Sequence, residues 1–259
     1  MMLKEKTIIF TDLDGTLLDH TTYSFEAAIP MLDFIKRHTI PLVIVTSKTK
    51  DEVLRIQKLL DVKAPFIVEN GAGVFIPSKE NYKMIPMGFD YEYIRACFIK
   101  YAKSVPIVGF FDMTDEEVAN YTNLSIENAT NAKKRTFTEP FILNDKSRLD
   151  ELRKMANMDD LDIVQGGRFY HLITKGQDKA NAMKFLIGEY EKNSDDKFKT
   201  IALGDSANDL SMLENVDTPM LIPHPDGTFI ECTIENLVKA PFPGPKGWNF
   251  VLKEYFDVK

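Results

Sequence analysis

The chain has 259 residues, and its 32 Lys+Arg against 39 Asp+Glu give a formal net charge of −7. This acidic balance disfavours nucleic acids and anionic membranes as partners, because both are usually held by clustered basic side chains. Hydrophobic residues at 44% and charged residues at 27% match ordinary globular proteins and exclude wholesale disorder. The longest apolar runs have the length of strands, so we predict no membrane-spanning helix. Two cysteines without a Cys-x-x-Cys pair, and an N-terminal apolar stretch too short for a signal peptide, favour a cytoplasmic location.

Five short apolar segments predict the buried strands of a parallel sheet. They lack the alternation of half-exposed strands, as expected when both faces are covered. Apolar residues at helical spacing, from Phe25 to Ile35, separate the first two segments, and a second helical pattern follows a Thr49-x-x-Glu52 capping box. Alternating strands and helices predict a doubly wound α/β fold. The predicted strands are 7–10, 41–45, 66–68, 200–203 and 219–222.

A change of pattern near residue 86 predicts an inserted α+β module. We expect helices near 94–101 and 126–133, two more behind Thr114-x-x-Glu117 and Ser147-x-x-Asp150 capping boxes, and strands at 107–111, 161–164 and 168–173. The helical pattern of the core resumes after residue 178. The predicted core is therefore 1–85 and 178–259, and the predicted insert is 86–177.

Acidic clusters follow two of the predicted strands. Asp12 and Asp14 lie in Asp-Leu-Asp-Gly-Thr (12–16), after the first strand, and Asp205 lies in Gly-Asp-Ser-Ala-Asn-Asp (204–209), after the fourth. Because parallel strands end at the same edge of a sheet, we expect these carboxylates to converge on one cation. Oxygen ligands of this kind suit Mg²⁺. The alternatives are an Asp-Gly turn with solvated acids and simple capping of the following helix.

Two further residues fit a phosphate site. Thr46 ends the second predicted strand, where its hydroxyl and the first amides of the next helix can hold a phosphate oxygen. Lys179 begins the helix after the insert, where its ammonium can neutralise phosphate charge. A plain helix cap explains Thr46 equally well, and a solvated surface lysine is the ordinary interpretation of Lys179.

In chain order, segment 12–16, Thr46, Lys179 and segment 204–209 resemble the four motifs of the haloacid dehalogenase (HAD) superfamily of phosphohydrolases. The resemblance implies a parallel-sheet core with an inserted cap domain. Five further segments resemble the mannosyl-3-phosphoglycerate phosphatases within that superfamily, although Thr136 and Thr138 stand where Glu and Ser are more usual. Those segments are 45–49, 69–73, 135–141, 166–169 and 244–248.

The resemblance implies a role for each motif residue. Asp12 would attack phosphorus and form an aspartyl-phosphate, and Asp14 would serve as general acid and then general base. Thr46 and Lys179 would hold the phosphoryl oxygens. Mg²⁺ would be held by the Asp12 side chain, the Asp14 carbonyl group and Asp205. The residues implied to support this site are Ser206, Asn208 and Asp209, and those implied to bind the rest of the substrate are Ser47, Lys48, Asn70, Arg135, Glu139, Gly166, Gly167 and Arg168.

The implied reaction is hydrolysis of mannosyl-3-phosphoglycerate to mannosylglycerate and phosphate, with a small phosphorylated sugar or glycerate as the only expected partner. Glucosyl-3-phosphoglycerate, another sugar phosphate, or a phosphomutase reaction remain alternatives, as does a non-enzymatic phospho-acceptor, against which Asp14 argues. Purely structural explanations also exist for the residues of the insert. Arg135 would then be a surface arginine, the glycines a hairpin turn, and Glu139 the ion-pair partner of Lys133 or Lys134. The sequence predicts no oligomeric state.

Overall fold

The computed structural model describes residues 6–79, 81–166, 169–192, 194 and 197–258. These residues form two compact units. Unit 1 takes the described residues of Met1–Thr46, Ala64–Ile67 and Lys179–Lys259, and unit 2 takes those of Ser47–Lys63 and Val68–Asp178. Across all the described residues, no helix combines the length and the apolar character needed to cross a membrane.

The strands of the described residues are β1 (Thr7–Thr11), β2 (Leu42–Val45), β3 (Phe66–Val68), β4 (Gly73–Pro77), β5 (Tyr82–Pro86), β6 (Ile107–Gly109), β7 (Glu139–Leu143), β8 (Leu161–Gly166), β9 (Phe169–Thr174), β10 (Lys199–Gly204), β11 (Thr218–Leu221) and β12 (Val238–Lys239). Their helices are α1 (Ile29–Arg37), α2 (Lys50–Leu60), α3 (Tyr91–Ala102), α4 (Asp115–Thr122), α5 (Ile126–Ala132), α6 (Leu149–Met158), α7 (Lys179–Glu191), α8 (Leu210–Leu213) and α9 (Gly244–Tyr255).

A parallel sheet forms the centre of unit 1, with its described strands in the order β12-β11-β10-β1-β2-β3. β1 lies between β10 and β2, and all five of its residues are buried. A strand covered on both faces is apolar throughout, which explains the unbroken apolar runs of the sequence. The five predicted strands are confirmed as β1, β2, β3, β10 and β11, each within one residue of the expected ends. The predicted α/β class with a parallel sheet is therefore confirmed.

The helix after the second strand begins at the expected place, whereas α1 begins at Ile29, four residues after the expected Phe25. Pro30 lies in the first turn of α1, where the missing N–H needs no partner. The predicted capping box of α2 is confirmed. The Glu52 N–H donates to Thr49 Oγ1 at 3.3 Å, and the Thr49 N–H donates to Glu52 Oε2 at 2.9 Å. These two bonds satisfy amide groups that the start of a helix leaves without partners.

Unit 2 contains an antiparallel sheet in the order β6-β7-β9-β8 and the antiparallel hairpin of β4 and β5, which is not part of that sheet. Phe141 of β7 packs in one apolar cluster with side chains of α3 and α6. Its neighbour Ile142 packs in another cluster with side chains of α4 and α5. Because successive strand residues point to opposite faces, the sheet is covered on both sides. The insert therefore has the α+β character that its sequence predicted.

Several predictions for single elements need correction. The Ser147-x-x-Asp150 capping box is wrong, because Arg148 is the N-cap of α6 and the Ser147 N–H instead donates to Asp145. The hairpin of β4 and β5, strand β7, strand β12 and helix α9 were not predicted. Residues 167 and 168, at the predicted turn between β8 and β9, lie outside the described residues. The boundaries 86 and 177 stay predictions, while the division into units groups 47–63 with 68–178.

Candidate active site

Three buried carboxylates meet in unit 1 at the carboxyl ends of β1 and β10. Asp12 follows β1, and Asp205 follows β10. The parallel pairing of Thr11 with Leu203 brings both positions to the same edge of the sheet. Asp209, one turn further along the chain, completes the group, and one ligand atom from each of the three residues lies within 4.8 Å of the others. Asp12 and Asp205 lie together as expected, but the third acid of this group is Asp209, whereas the sequence predicted Asp14.

Lys179 joins this group from the first turn of α7. Its Nζ donates to Asp12 Oδ1 and to Asp209 Oδ1, both at 2.6 Å, and its side chain is 1% exposed. The alternative of a solvated surface lysine is therefore wrong. Burial alone would lower the pKa of Lys179, but the two carboxylates together raise it above its usual value. Lys179 consequently carries a fixed positive charge inside the cluster.

Asp209 is held by the loop that leads out of β10. Its Oδ2 accepts hydrogen bonds from the backbone N–H groups of Asp205 at 3.1 Å and Ser206 at 3.0 Å. The Ser206 hydroxyl donates to Asn208 Oδ1 at 2.6 Å, within the same loop. A Cβ atom at Gly204 would lie 2.4 Å from the Asp209 Cβ, so only glycine allows this approach. Asp209 thus caps the following turn and also contacts Lys179.

Asp205 is positioned from two other segments of unit 1. Its Oδ1 accepts from the Thr16 hydroxyl at 2.9 Å, and its carbonyl oxygen lies 3.1 Å from His224 Nε2, a distance at which that ring nitrogen donates. Gly15 has a φ of +82°, and a Cβ there would lie 2.5 Å from Asp205 Oδ2. Gly15, in segment 12–16, therefore leaves space for the carboxylate of Asp205, in segment 204–209.

The pKa values of Asp12 and Asp205 are raised above the ordinary value of an aspartate. Burial raises the pKa of Asp12 to about 7; the charges of Asp209 and Asp14 add to this shift, and Lys179 opposes it. Burial also raises the pKa of Asp205 to about 8, again with Asp209 and Asp12 adding to it. Both shifts have the same cause, which is negative charge concentrated away from water. A bound cation would oppose that effect.

The other two residues of the predicted motifs lie beside this cluster in the sequence and the sheet. Asp14 is half-buried in the tight turn after β1, where it forms an isolated bridge with Leu18. Thr46 follows β2, the strand next to β1, and is buried, with its N–H donating to the carbonyl of Ile67 at 3.0 Å. Both residues therefore belong to the same edge of the parallel sheet.

Four hydrogen bonds of the site were not predicted. The Trp248 indole of α9 donates to Thr11 Oγ1 at 3.1 Å, and the Thr11 hydroxyl donates to the Asp12 carbonyl at 2.8 Å. Thr16 and His224 contact Asp205, as described above. The sequence offered a signal for two of these, since Thr16 completes the first motif and Trp248 lies in segment 244–248. It offered none for His224.

Of the residues predicted to bind the rest of the substrate, Arg135 lies inside unit 2. Its side chain is 3% exposed, so the alternative of a surface arginine is wrong. Its Nη2 donates to the Ser47 carbonyl at 3.1 Å and to Thr138 Oγ1 at 2.6 Å, and its Nε lies 3.4 Å from Glu69 Oε2. The guanidinium is thus surrounded by partners from its own unit.

Glu139 is fully buried at the start of β7. It accepts hydrogen bonds from the Tyr91 hydroxyl and, at 3.2 Å, from the Phe111 N–H, and Arg95 Nη1 lies 3.8 Å away. Burial raises the pKa of Glu139, although these donors oppose the shift. The alternative of an ion pair with Lys133 or Lys134 is wrong, because those lysines pair with Asp115 and Asp51.

The remaining predicted contacts occupy loops and strand ends. Ser47 and Lys48 follow Thr46, and Lys48 Nζ lies 3.7 Å from Glu52. Asn70 is buried and adopts a φ of +59° in the turn after β3. Gly166 ends β8, whereas Gly167 and Arg168 lie outside the described residues.

The buried lysine and three acids at the end of a parallel sheet define the class of this protein. The haloacid dehalogenase-like hydrolase family matches residues 9–222, and the chain therefore belongs to that family. A phosphatase of the same superfamily from Bacteroides thetaiotaomicron shares the fold, with a TM-score of 0.72 and 16% identity over 98% of this chain and 96% of that one.

Two curated relatives match nearly the whole chain. A protein of Persephonella marina is 48% identical over 93% of this chain and 94% of its own length. A protein of Methanococcoides burtonii is 40% identical over 94% of this chain and 95% of its own length. Both are named glucosyl-3-phosphoglycerate/mannosyl-3-phosphoglycerate phosphatase.

Proposed function

We propose that this hydrolase is a Mg²⁺-dependent phosphatase that hydrolyses mannosyl-3-phosphoglycerate to mannosylglycerate and phosphate. One observation carries the proposal: Lys179 lies between Asp12 and Asp209, beside Asp205, in a buried cluster. The names of the two relatives supply the substrate class. Because those names include both sugars, we extend the proposal to glucosyl-3-phosphoglycerate.

The chemistry of the donor set fits magnesium. All three clustered side chains offer carboxylate oxygens, the ligands that Mg²⁺ prefers, and no His or Cys completes a zinc set in the groups found among the described residues. The raised pKa values of Asp12 and Asp205 indicate negative charge that a cation would compensate. We propose that Asp12, Asp205 and the Asp14 carbonyl group hold the ion. When bound, Mg²⁺ would neutralise charge on the phosphoryl oxygens.

In the proposed reaction, the Asp12 carboxylate attacks phosphorus, an aspartyl-phosphate bond forms, and the bond to the glycerate oxygen breaks. Asp14 donates a proton to the departing alkoxide. It then takes a proton from the water that cleaves the aspartyl-phosphate, which restores Asp12 and releases phosphate. Lys179 and the Thr46 hydroxyl hold phosphoryl oxygens, since phosphoryl transfer depends mainly on positioning and charge neutralisation. The contact of Asp209 with Lys179 keeps the ammonium in place.

We further propose that the insert, 86–177, acts as a cap that selects the substrate. A glycerate carboxylate requires a guanidinium or backbone N–H groups, and Arg168 with Gly166 and Gly167 supplies that chemistry. Ser47, Lys48, Asn70 and Glu139 remain proposed contacts of the sugar and phosphate. The enzyme would act in the cytoplasm on this small molecule.

Phosphate release from a panel of phosphate esters tests the proposal. The panel contains mannosyl- and glucosyl-3-phosphoglycerate, hexose phosphates and p-nitrophenyl phosphate, each assayed with Mg²⁺. We expect the highest kcat/KM for the two glycosyl-phosphoglycerates. A higher value for a hexose phosphate would replace the substrate class, and stoichiometric phosphorylation without release would indicate a phospho-acceptor.

A further inference from the structure

Glu69 lies in an unusual backbone conformation directly after β3. Its φ is +52°, and the next two residues, Asn70 and Gly71, have φ values of +59° and +93°. Residues other than glycine rarely adopt positive φ values, so three consecutive residues with positive φ persist only where the surrounding structure holds them in place. Glu69 is 0% exposed. Its partners therefore determine the conformation of the turn.

The carboxylate of Glu69 binds the backbone of a segment far away in the sequence. Its Oε1 accepts the Thr136 N–H at 2.8 Å, and its Oε2 accepts the N–H groups of Phe137 at 3.1 Å and Thr138 at 2.8 Å. The Thr138 hydroxyl adds a fourth bond at 2.8 Å. Four donors on one buried carboxylate make a strong, charge-assisted site. Glu69 thereby fixes the segment that carries Arg135.

Arg135 and Glu69 in turn hold the loop that follows Thr46. Arg135 Nη2 donates to the Ser47 carbonyl at 3.1 Å, and the Glu69 N–H donates to the Lys48 carbonyl at 3.0 Å. Because a trans peptide is planar, a carbonyl held on one side aims the following N–H to the opposite side. The direction of the Lys48 N–H is therefore set by Arg135.

We propose that Glu69 and Arg135 are positioning residues for phosphate, and that neither touches the substrate. They fix the carbonyl groups of Ser47 and Lys48, and through the Ser47–Lys48 peptide the direction of the Lys48 N–H, before phosphate binds. This inference rests on the proposed phosphatase function. It assigns a role to Glu69 and replaces a carboxylate contact by Arg135 with an indirect role, because the guanidinium already contacts Glu69, Ser47 and Thr138.

Four variants test this pair: Glu69→Gln, Arg135→Met, the Glu69→Gln/Arg135→Met double variant, and Asp159→Asn as a matched control. Asp159 accepts from Lys100 and Tyr101 in the same unit, away from Ser47 and Lys48. For each protein, kcat and KM are measured on p-nitrophenyl phosphate and on mannosyl-3-phosphoglycerate. Binding of inorganic phosphate in Mg²⁺ is measured by calorimetry, and the thermal midpoint is recorded.

We expect each single variant to lose about 10²-fold in kcat/KM on both substrates, since small displacements of positioned groups have effects of this size. Phosphate binding should weaken in parallel, and Asp159→Asn should match the wild type. The double variant removes both buried charges, so its thermal midpoint should recover relative to either single variant. The activity of the double variant should stay low, because the loop at Ser47 and Lys48 has lost the side chains that position it.

Recovery of activity together with the thermal midpoint in the double variant would overturn the proposal, because the pair would then serve stability alone. A loss confined to mannosyl-3-phosphoglycerate would also overturn it, by placing Arg135 on the substrate. The double variant keeps the test valid where a single variant fails to fold. Wild-type activity on p-nitrophenyl phosphate without activity on either glycosyl-phosphoglycerate would refute only the substrate class, and the phosphate-binding comparison would still stand.

Discussion

At the scale of single residues, the ammonium of Lys179 and its two carboxylate partners are mutually dependent. Replacing Asp12 by Asn removes one buried negative charge and still leaves Lys179 paired with Asp209. We therefore expect Asp12→Asn to fold with a thermal midpoint near that of the wild type, yet to release no phosphate, because an amide cannot attack phosphorus.

Lys179→Met provides the contrasting case. It leaves Asp12, Asp205 and Asp209 together without a positive charge, and breaking a buried ion pair in this way typically costs about 3–5 kcal/mol. Circular dichroism melts and phosphate release measured on both variants check the pair of expectations. Substantial turnover by Asp12→Asn would contradict the aspartyl-phosphate mechanism.

His171 predicts an acid-sensitive step in stability. It is buried on β9, and burial lowers its pKa to about 3, with a further contribution from the nearby Arg135 charge. In the unfolded chain its pKa is the ordinary 6.5, so between these values only the unfolded state binds a proton. Stability from this residue is complete above pH 6.5 and is lost as the pH falls toward 3.

His171→Asn should flatten the decline in unfolding free energy between pH 6.5 and pH 4, measured by urea titration at each pH. His20→Asn, a change at an exposed histidine, should leave the decline unchanged. Parallel curves for wild type and His171→Asn would contradict the assignment.

At the scale of elements, two capping boxes offer a matched comparison. Thr49 caps α2, and Thr114 caps α4 through bonds to Glu117. The Thr49 hydroxyl also donates to the Asn131 carbonyl at 2.9 Å. We expect Thr114→Ala to cost about 1 kcal/mol and Thr49→Ala about 1–2 kcal/mol more, because the second change also strips a carbonyl of its donor. Urea unfolding of both variants checks this order, which equal losses would contradict.

The strands and helices also show which parts of the fold could be predicted from the sequence. Apolar runs predicted β1 and its neighbours because those strands are covered on both faces. Strand β5 was not predicted because Lys83, Met84 and Pro86 are exposed and interrupt the apolar pattern. Strand β7 was not predicted because it begins with Glu139, whose burial depends on Tyr91 and Arg95. Helix α9 begins with Gly-Pro, a dipeptide typical of turns.

The candidate site, like the fold, could be predicted from the sequence only in part. The convergence of Asp12 and Asp205 followed from the shared edge of parallel strands, a rule that needs only strand order. The burial of Lys179 did not follow, because a lysine at a helix start is ordinarily solvated and only the two carboxylates explain its position. The contacts of His224 and Arg135 join segments distant in sequence, and no local pattern encodes them.

At the scale of the whole molecule, metal binding should be linked to pH. The pKa values of Asp12 and Asp205, about 7 and about 8, exceed the 3.8 of an unfolded aspartate. Without metal, the folded state therefore binds protons that the unfolded chain has released, and its stability falls as the pH rises from 4 to 8. A cation displaces those protons.

We accordingly expect Mg²⁺ to raise the thermal midpoint over that in EDTA, with an increment that grows from pH 6 to pH 8. Activity should vanish in EDTA and return with Mg²⁺. Asp205→Asn should remove most of the increment at every pH. An increment independent of pH, or full activity in EDTA, would refute this site for the metal.

The pairing of β1 with β10 has a consequence for how the enzyme is made. Thr7 pairs with Lys199, and Lys179 lies 167 positions after Asp12. Because synthesis proceeds from the N-terminus, β1 can pair with β2 early. The other edge of β1 stays unpaired until β10 leaves the ribosome. Meanwhile the segments of unit 2 are already complete and can fold. An unpaired edge recruits other strands, which makes this interval the one in which a nascent chain needs protection. Lys179 and Asp205 both lie in the last third of the chain, so the catalytic cluster can assemble only after β10 has joined the sheet.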